Sequence, residues 1–404
     1  MTQQDNYINF NKKTVFVVGA GASIPYGYPL GYELVDKIVA VAGKSNNEQA
    51  EKFIKLIKLH DPFSIDSFLA QHCSHDPDLT NFGKQLIAEV ILSCEDRDKI
   101  AGKSNNENWY RYLTHAMFAD KERLINDEPL PFKIITFNYD VSLDYYLLER
   151  VWKATMLSDD EKKKVLKKLD TAITHVYGAV RQVPWNNPEV LDDFKVYLSQ
   201  DNKKICVKGK NEKSSGGTSL SMPRFEYGYH IEEKYMPYIY GSHNSTSPII
   251  SQGSYVVLRG EQQPTLGEIE CGKQLISKAA KRIKVIDERN EKIEENLQPF
   301  KQYIAEEAQR IMFLGFGFDE QNMDLLFNYK IIENIHSRNE EQYRECVATN
   351  EKEYFEKFEI CYTNYEDSEK LNRRIENYCR KTYFAHFKSI KGVNKALTED
   401  FDLS

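Results

Sequence analysis

With 404 residues, 41% of them hydrophobic and 28% charged, the chain suits one large α/β domain with insertions, or two domains. Its formal charge of −7 argues against a general nucleic-acid binder, and no apolar run approaches the roughly 18 residues of a membrane helix. The opening Met1-Thr2-Gln3-Gln4-Asp5 lacks the basic and apolar regions of a signal peptide, and the seven scattered cysteines form no Cys-x-x-Cys pair. A reducing cytoplasm is therefore expected, with neither a disulfide framework nor a zinc site of the usual spacing.

Thr14–Val18, rich in β-branched and aromatic residues, reads as a fully buried strand too short for a helix. Gly19-Ala20-Gly21-Ala22-Ser23 follows. At Gly19 and Gly21 the missing Cβ permits a sharp turn close to a phosphate, while Ala20, Ala22 and Ser23 keep the loop small and offer N–H groups and a hydroxyl. Ile24 occupies the third-glycine position of the general dinucleotide fingerprint, so the motif alone fits a plain tight turn equally well. Helical spacing resumes over Gly31–Val41.

Residues from about 45 to 121 read mainly as helix, with amphipathic runs at Glu51–Leu59 and Asn81–Leu92. Ser64 is a candidate cap for a helix over the next residues, and Asp66 belongs either to that first turn or to a ligand site. Pro129 and Pro131 end the helical stretch, and Phe132–Phe137 is the second buried strand. Asn138-Tyr139-Asp140 closes it, before a helix over Val141–Val151. The lysines of Glu161–Leu169 suit a solvated helix face. A third strand is expected over Ala172–Tyr177, running into Gly178.

Residues 183–310 read as an insertion, with a Lys/Ser/Gly-rich loop at Lys213–Ser219 and a tyrosine-dense run at Phe225–Tyr240. Its last part, Glu268–Arg310, is charged and helical, with Pro299 as the point where it could break. Ile311–Leu314 is another buried strand, ending in Gly315-Phe316-Gly317-Phe318 with Asp319 as the next N-cap. Glu359–Tyr362 reads as one more strand, and Asp367–Ser404 as helix. Residues 331–404 either complete the domain or serve assembly.

Strands alternating with helices imply a Rossmann-like, doubly wound parallel sheet with large helical and irregular insertions. Such a sheet gathers Gly19–Ser23, Asn138–Asp140, His175–Gly178 and Gly315–Phe318 at one edge. Gly315, Phe316 and Gly317 would there meet a ribose or adenine.

These strings, in this order, resemble the SIR2 (sirtuin-related) family. Gly19-Ala20-Gly21-Ala22-Ser23 with Gly27-Tyr28-Pro29 is similar to its first signature, and Thr136-Phe137-Asn138-Tyr139-Asp140 to its Thr-Gln-Asn-x-Asp motif. His175-Val176-Tyr177-Gly178 resembles its His-Gly motif, and Gly315–Asp319 the late glycine strand of bacterial SIR2-like proteins. The departures are Phe137 for the family's glutamine, Leu30-Gly31-Tyr32 for the deacetylases' Asp-Phe-Arg, and the absence of their four zinc-ligand cysteines. Tyr177, not a histidine, precedes Gly178; His175 lies two positions earlier, on the same face of the expected strand, and so could still point into the site.

The resemblance implies a catalytic domain over residues 1–330, with helical insertion at about 45–125, that cleaves the nicotinamide–ribose bond of NAD+ without a metal. Asn138 would orient a ribose hydroxyl or the attacking water, His175 would accept a proton, and Asp140 would orient Asn138 or offset developing charge. Each has a simpler reading: Asn138 and Asp140 as caps of the next helix, His175 as a core histidine. The implied activity is that of an NAD+ glycohydrolase depleting NAD+ in antiphage defence, with a protein deacylase or a non-catalytic NAD+/ADP-ribose sensor as alternatives. The implied partners are further copies of the chain and a HerA-type hexameric ATPase, through which alone nucleic acid would be contacted.

Overall fold

The computed structural model describes residues 10, 12–45, 47–62, 64–95, 99–100, 107–181, 276–285, 291–327, 329–349, 358–379 and 385–401. Within them, β1 (Thr14–Val18), β2 (Phe132–Thr136), β3 (Ile173–His175), β4 (Arg310–Leu314), β5 (Glu359–Thr363) and β6 (Ala385–Ser389) form one parallel sheet. Their spatial order is 3-2-1-4-5-6. β1 pairs with β2 on one side and β4 on the other, so all five of its residues are buried, as expected of a strand covered on both faces. The chain moves outward from β1 to β3 and then restarts at β4 on the opposite side. The order therefore reverses between β1 and β4, where the loops after these strands leave a crevice in sheets of this kind.

Among the described residues the longer helices are α1 (Gly31–Ala42), α2 (Glu48–His60), α3 (Pro77–Ser93), α4 (Trp109–Phe118), α5 (Ser142–Lys153), α6 (Asp159–Ala172), α7 (Glu291–Glu306), α8 (Tyr329–Ala348) and α9 (Glu369–Cys379), with shorter turns between them. The starts of α2, α3 and α4 are capped by the side chains of Asn47, Asp76 and Asn108, each accepting a backbone N–H. Ser64 likewise caps the one-turn helix Ile65–Phe68. Phe53 of α2 meets Phe68 and Phe82 edge-on, which seats this helical layer on a common apolar centre. No helix among the described residues is long and apolar enough to cross a membrane.

Three expectations are corrected. β6 lies inside the stretch read as helix; its Ala-His-Phe-Lys-Ser sequence carries no strong strand signal, and pairing with β5 decides its state. Both β5 and β6 thus extend the sheet that begins with β1. α7 runs unbroken through Pro299, where burial of Ile293, Leu297, Phe300 and Ile304 along one side offsets the lost backbone bond. The third strand is only three residues long, because α6 continues to Ala172 and the chain turns at Val176. The Lys213–Ser219 and Phe225–Tyr240 segments lie outside the described residues.

The two ends of the stretch 182–275 are tied close together. The Lys284 N–H donates to the Tyr177 carbonyl at 2.9 Å, and Gly178, at φ 70°, presses so closely on the Arg282 carbonyl that no Cβ would fit. Val180 N–H donates to the Tyr139 carbonyl at 2.9 Å. Next to it, Arg181 grips Glu95 in a buried two-pronged pair, at 2.7 Å from Nε and 2.6 Å from Nη2. Removing either partner would leave the other as an uncompensated buried charge.

Candidate functional site

The loop after β1 is a 3₁₀ helix over Ala20–Tyr26, which buries Ala22, Ser23 and Tyr26 and leaves Ile24 exposed. The indole N–H of Trp109 donates to the Ala22 carbonyl at 2.8 Å, and Tyr26 stacks on Tyr110 with ring centroids 3.8 Å apart. The turn is thus clamped from the helical layer. From the other side it rests on the loop after β4. Gly19 N–H donates to the Leu314 carbonyl and Gly21 N–H to the Gly315 carbonyl, both at 3.0 Å.

This contact explains the glycines by itself. A Cβ on Gly19 would stand 2.6 Å from the Gly315 carbonyl oxygen, and one on Gly21 would stand 2.9 Å from the Gly315 Cα. Gly315 adopts φ 57°, and a Cβ there would run into the backbone of Gly21 and Ala22. With Ala22 N–H bonded to the Gly19 carbonyl, the amides of Gly19, Gly21 and Ala22 are all committed within the protein. The close approach inferred from sequence is present, but its partner is another loop of the same chain. Gly317 differs: open space surrounds its Cβ position, and Phe316 beside it is buried.

Asn138 joins the two strand ends. Its side-chain amide donates to the Gly19 carbonyl at 3.0 Å and to Ser23 Oγ at 2.9 Å, and its own N–H is held by Thr136 Oγ1 at 3.1 Å. Ser23 Oγ in turn donates to Asp140 Oδ2 at 3.0 Å. Asp140 Oδ1 accepts from the backbone N–H of Ser142 at 3.1 Å and from the Ser142 hydroxyl. Asp140 therefore serves the start of α5 and the site at once. Its burial raises the carboxyl pKa, against the opposing pull of the Ser142 and Ser23 hydrogen bonds and of His175.

His175 is brought to the same strand end, with both ring nitrogens engaged. Nδ1 lies 3.2 Å from the Asn138 carbonyl, which can only accept, and Nε2 lies 3.0 Å from Asp144 Oδ2. Burial works against the charged ring, but the Asp144 charge and hydrogen bond, the Asn138 carbonyl and Asp140 outweigh it and raise the pKa. Both ring nitrogens thus face oxygen atoms of the protein. Asp144 was missed in the sequence; its signal was its place one helical turn after Asp140. Tyr177 does not share a face with His175, since the strand has ended. Its hydroxyl donates to Asn322 Oδ1 instead.

A second polar group lies alongside. The Tyr139 hydroxyl donates to Asp66 Oδ1, Ser64 Oγ reaches Asp66 Oδ2 at 3.4 Å, and Ser67 Oγ contacts Gln321 Oε1 at 3.3 Å. The turn at Ile65–Phe68 thereby docks on the ends of β2 and β4, and Asp66 belongs to the site as well as to a helix start. Behind it, Phe137 packs against Tyr177 and Phe316, with centroids 5.6 and 5.1 Å away, so the residue replacing the family's glutamine is an apolar backing. Among the described residues no three His, Cys, Asp or Glu side chains converge as a metal-ligand set.

Burial pushes the Asp66 carboxyl up to about 7, with the Ser64 hydrogen bond and the local backbone opposing and Asp319 adding to the rise. The folded state thus holds this proton more tightly than the unfolded chain does. Stability from protonated Asp66 is present at low pH and is lost as pH climbs from the ordinary carboxylate range through about 7. Asp66→Asn keeps an acceptor for Tyr139 and removes the charge. Its melting temperature should exceed the parent's by more at pH 8 than at pH 5 and match it only below the ordinary carboxylate range; an equal difference at pH 8 and pH 5, by scanning calorimetry, would contradict the buried carboxyl.

No family model matches the chain, and none of the curated proteins is similar to it.

Proposed function

We propose that the chain is an NAD+ glycohydrolase on a Rossmann-like, doubly wound domain. The observation that carries this reading is the Asn138 carboxamide, which links the Gly19 turn to Ser23 and Asp140 where the strand order reverses. Hydrolysis breaks the bond from ribose C1′ to the nicotinamide nitrogen, which leaves with the electron pair as neutral nicotinamide. Water supplies hydroxide to C1′ and releases a proton. A neutral amide at Asn138 orients that water or a ribose hydroxyl without trapping the cationic ribose.

The expected role of His175 as proton acceptor is reassigned in this proposal. The ion pair with Asp144 makes it a positioning residue that holds the Asn138 carbonyl, while Asp66, titrating at about 7, takes the proton. The NAD+ pyrophosphate and ribose would lie along Ala20 and the open edge at Gly317. Depletion of NAD+ in antiphage defence, in a cytoplasmic homo-oligomer controlled by a HerA-type ATPase, is the setting that goes with this activity.

One observation favours a second reading, binding of NAD+ or ADP-ribose without turnover: the amides of Gly19, Gly21 and Ala22 and both nitrogens of His175 are committed. Incubation with NAD+, with and without an acetylated peptide, followed by product analysis, tests all readings. Nicotinamide and ADP-ribose without peptide are expected. Turnover only with peptide would mean a deacylase, and saturable binding without products a sensor.

A further inference from the structure

Away from the strand ends, a cleft of about 570 Å³ lies between α4 and α5, within the size range of small-ligand sites. α4 contributes Arg111 and His115, one turn apart; α5 contributes Arg150 and Lys153. None of the described residues lining the cleft is acidic. Lys153 has a partner in Glu149, one turn back on its own helix. Among the described residues no carboxylate pairs with Arg111 or Arg150. Arg150 lies over the Tyr146 ring at 4.8 Å, which fixes its guanidinium at the wall.

The cations feel one another. Burial and then the charges of Arg111 and Arg150 push the His115 pKa below its ordinary value. Four basic side chains on two facing helices, with only Lys153 paired to a carboxylate among the described residues, are a local concentration that stability alone does not favour in a chain of net charge −7.

We propose that this cleft binds the phosphate chain of a nucleotide-sized anion, with Arg111 and Arg150 gripping it from opposite walls. Arginine presents planar, two-pronged donors to phosphate oxygens, and here one stands on each of the two helices that line the cleft. The bound anion relieves the repulsion at His115. The site is separate from the strand-end residues and does not depend on the activity proposed for them.

The test is calorimetric titration of inorganic tripolyphosphate into the full chain and into Arg111→Glu/Arg150→Glu, whose side chains are exposed. The double variant should keep the parent's circular dichroism and NAD+ binding, and bind tripolyphosphate at least 10-fold more weakly. ATP should compete with tripolyphosphate and adenosine should not. No saturable binding by the parent, equal binding by the double variant, or equal competition by adenosine would overturn the proposal. So would a short DNA duplex that binds through the same arginines more tightly than ATP, since the face would then be a nucleic-acid surface.

Discussion

Asn138→Ala should lower NAD+ cleavage by about 100-fold or more in a protein that still folds, a loss typical of removing one preorganised polar group from a reacting centre. The carboxamide is half-buried and donates both of its N–H groups, to Gly19 and to Ser23. Its carbonyl oxygen is the part left to face a ribose hydroxyl or water. Truncation also releases Ser23 and Asp140, at a stability cost of about 1–3 kcal/mol that circular dichroism melting will register. Asn138→Asp separates the two effects. It retains acceptor capacity but brings a negative charge toward Asp140, so it should be stable at low pH and inactive. Parent-like turnover in a folded Asn138→Ala protein would exclude the residue from the mechanism.

The largest effect on stability should come from Gly315→Ala. At φ 57° an L-residue is strained by about 1–2 kcal/mol, and here the new methyl also strikes the backbone of Gly21 and Ala22. Neither neighbour can yield cheaply. Gly21 and Gly315 are joined by a backbone hydrogen bond of 3.0 Å, and the Gly315 N–H is held by Thr363 Oγ1 at 2.8 Å. A total of about 3–5 kcal/mol follows, or a fall in melting temperature of roughly 5 °C for a chain of this length. Gly317→Ala is the control, because open space surrounds that position, and it should melt within about 1 °C of the parent. Equal melting of the two variants would show that the loops are not in firm contact.

These two substitutions also mark how far the sequence could be read. Uniformly apolar runs announce buried parallel strands, so β1, β2, β4 and β5 were legible within a residue or so. β6 was not, since an edge strand of mixed character is specified by its neighbour rather than by its own pattern. The glycines at 19, 21 and 315 were recognised as points of close approach. What they approach was hidden, because a glycine looks the same whether it faces a phosphate or a carbonyl 300 residues away. Asn138, Ser23 and Asp140 could be gathered by strand-end logic. The bonds that decide roles could not: Asp144 against His175 and Asp66 against Tyr139 join helices and strand ends over long separations. The displaced His175–Gly178 motif misled for a local reason, as period-two facing lapses once the strand has stopped.

The tie between Tyr177–Gly178 and Arg282–Lys284 has an evolutionary consequence. The chain comes back beside its own point of departure from β3, so the position of β3 is set by that contact and not by how many residues lie between. The entropy of closing a loop rises by only about 0.6 kcal/mol for each doubling of its length. Segments of very different size and origin can therefore be spliced at this point while the strand ends beside it stay in register. Descendants of one domain could thus acquire different accessory parts there without rebuilding Asn138 and its neighbours.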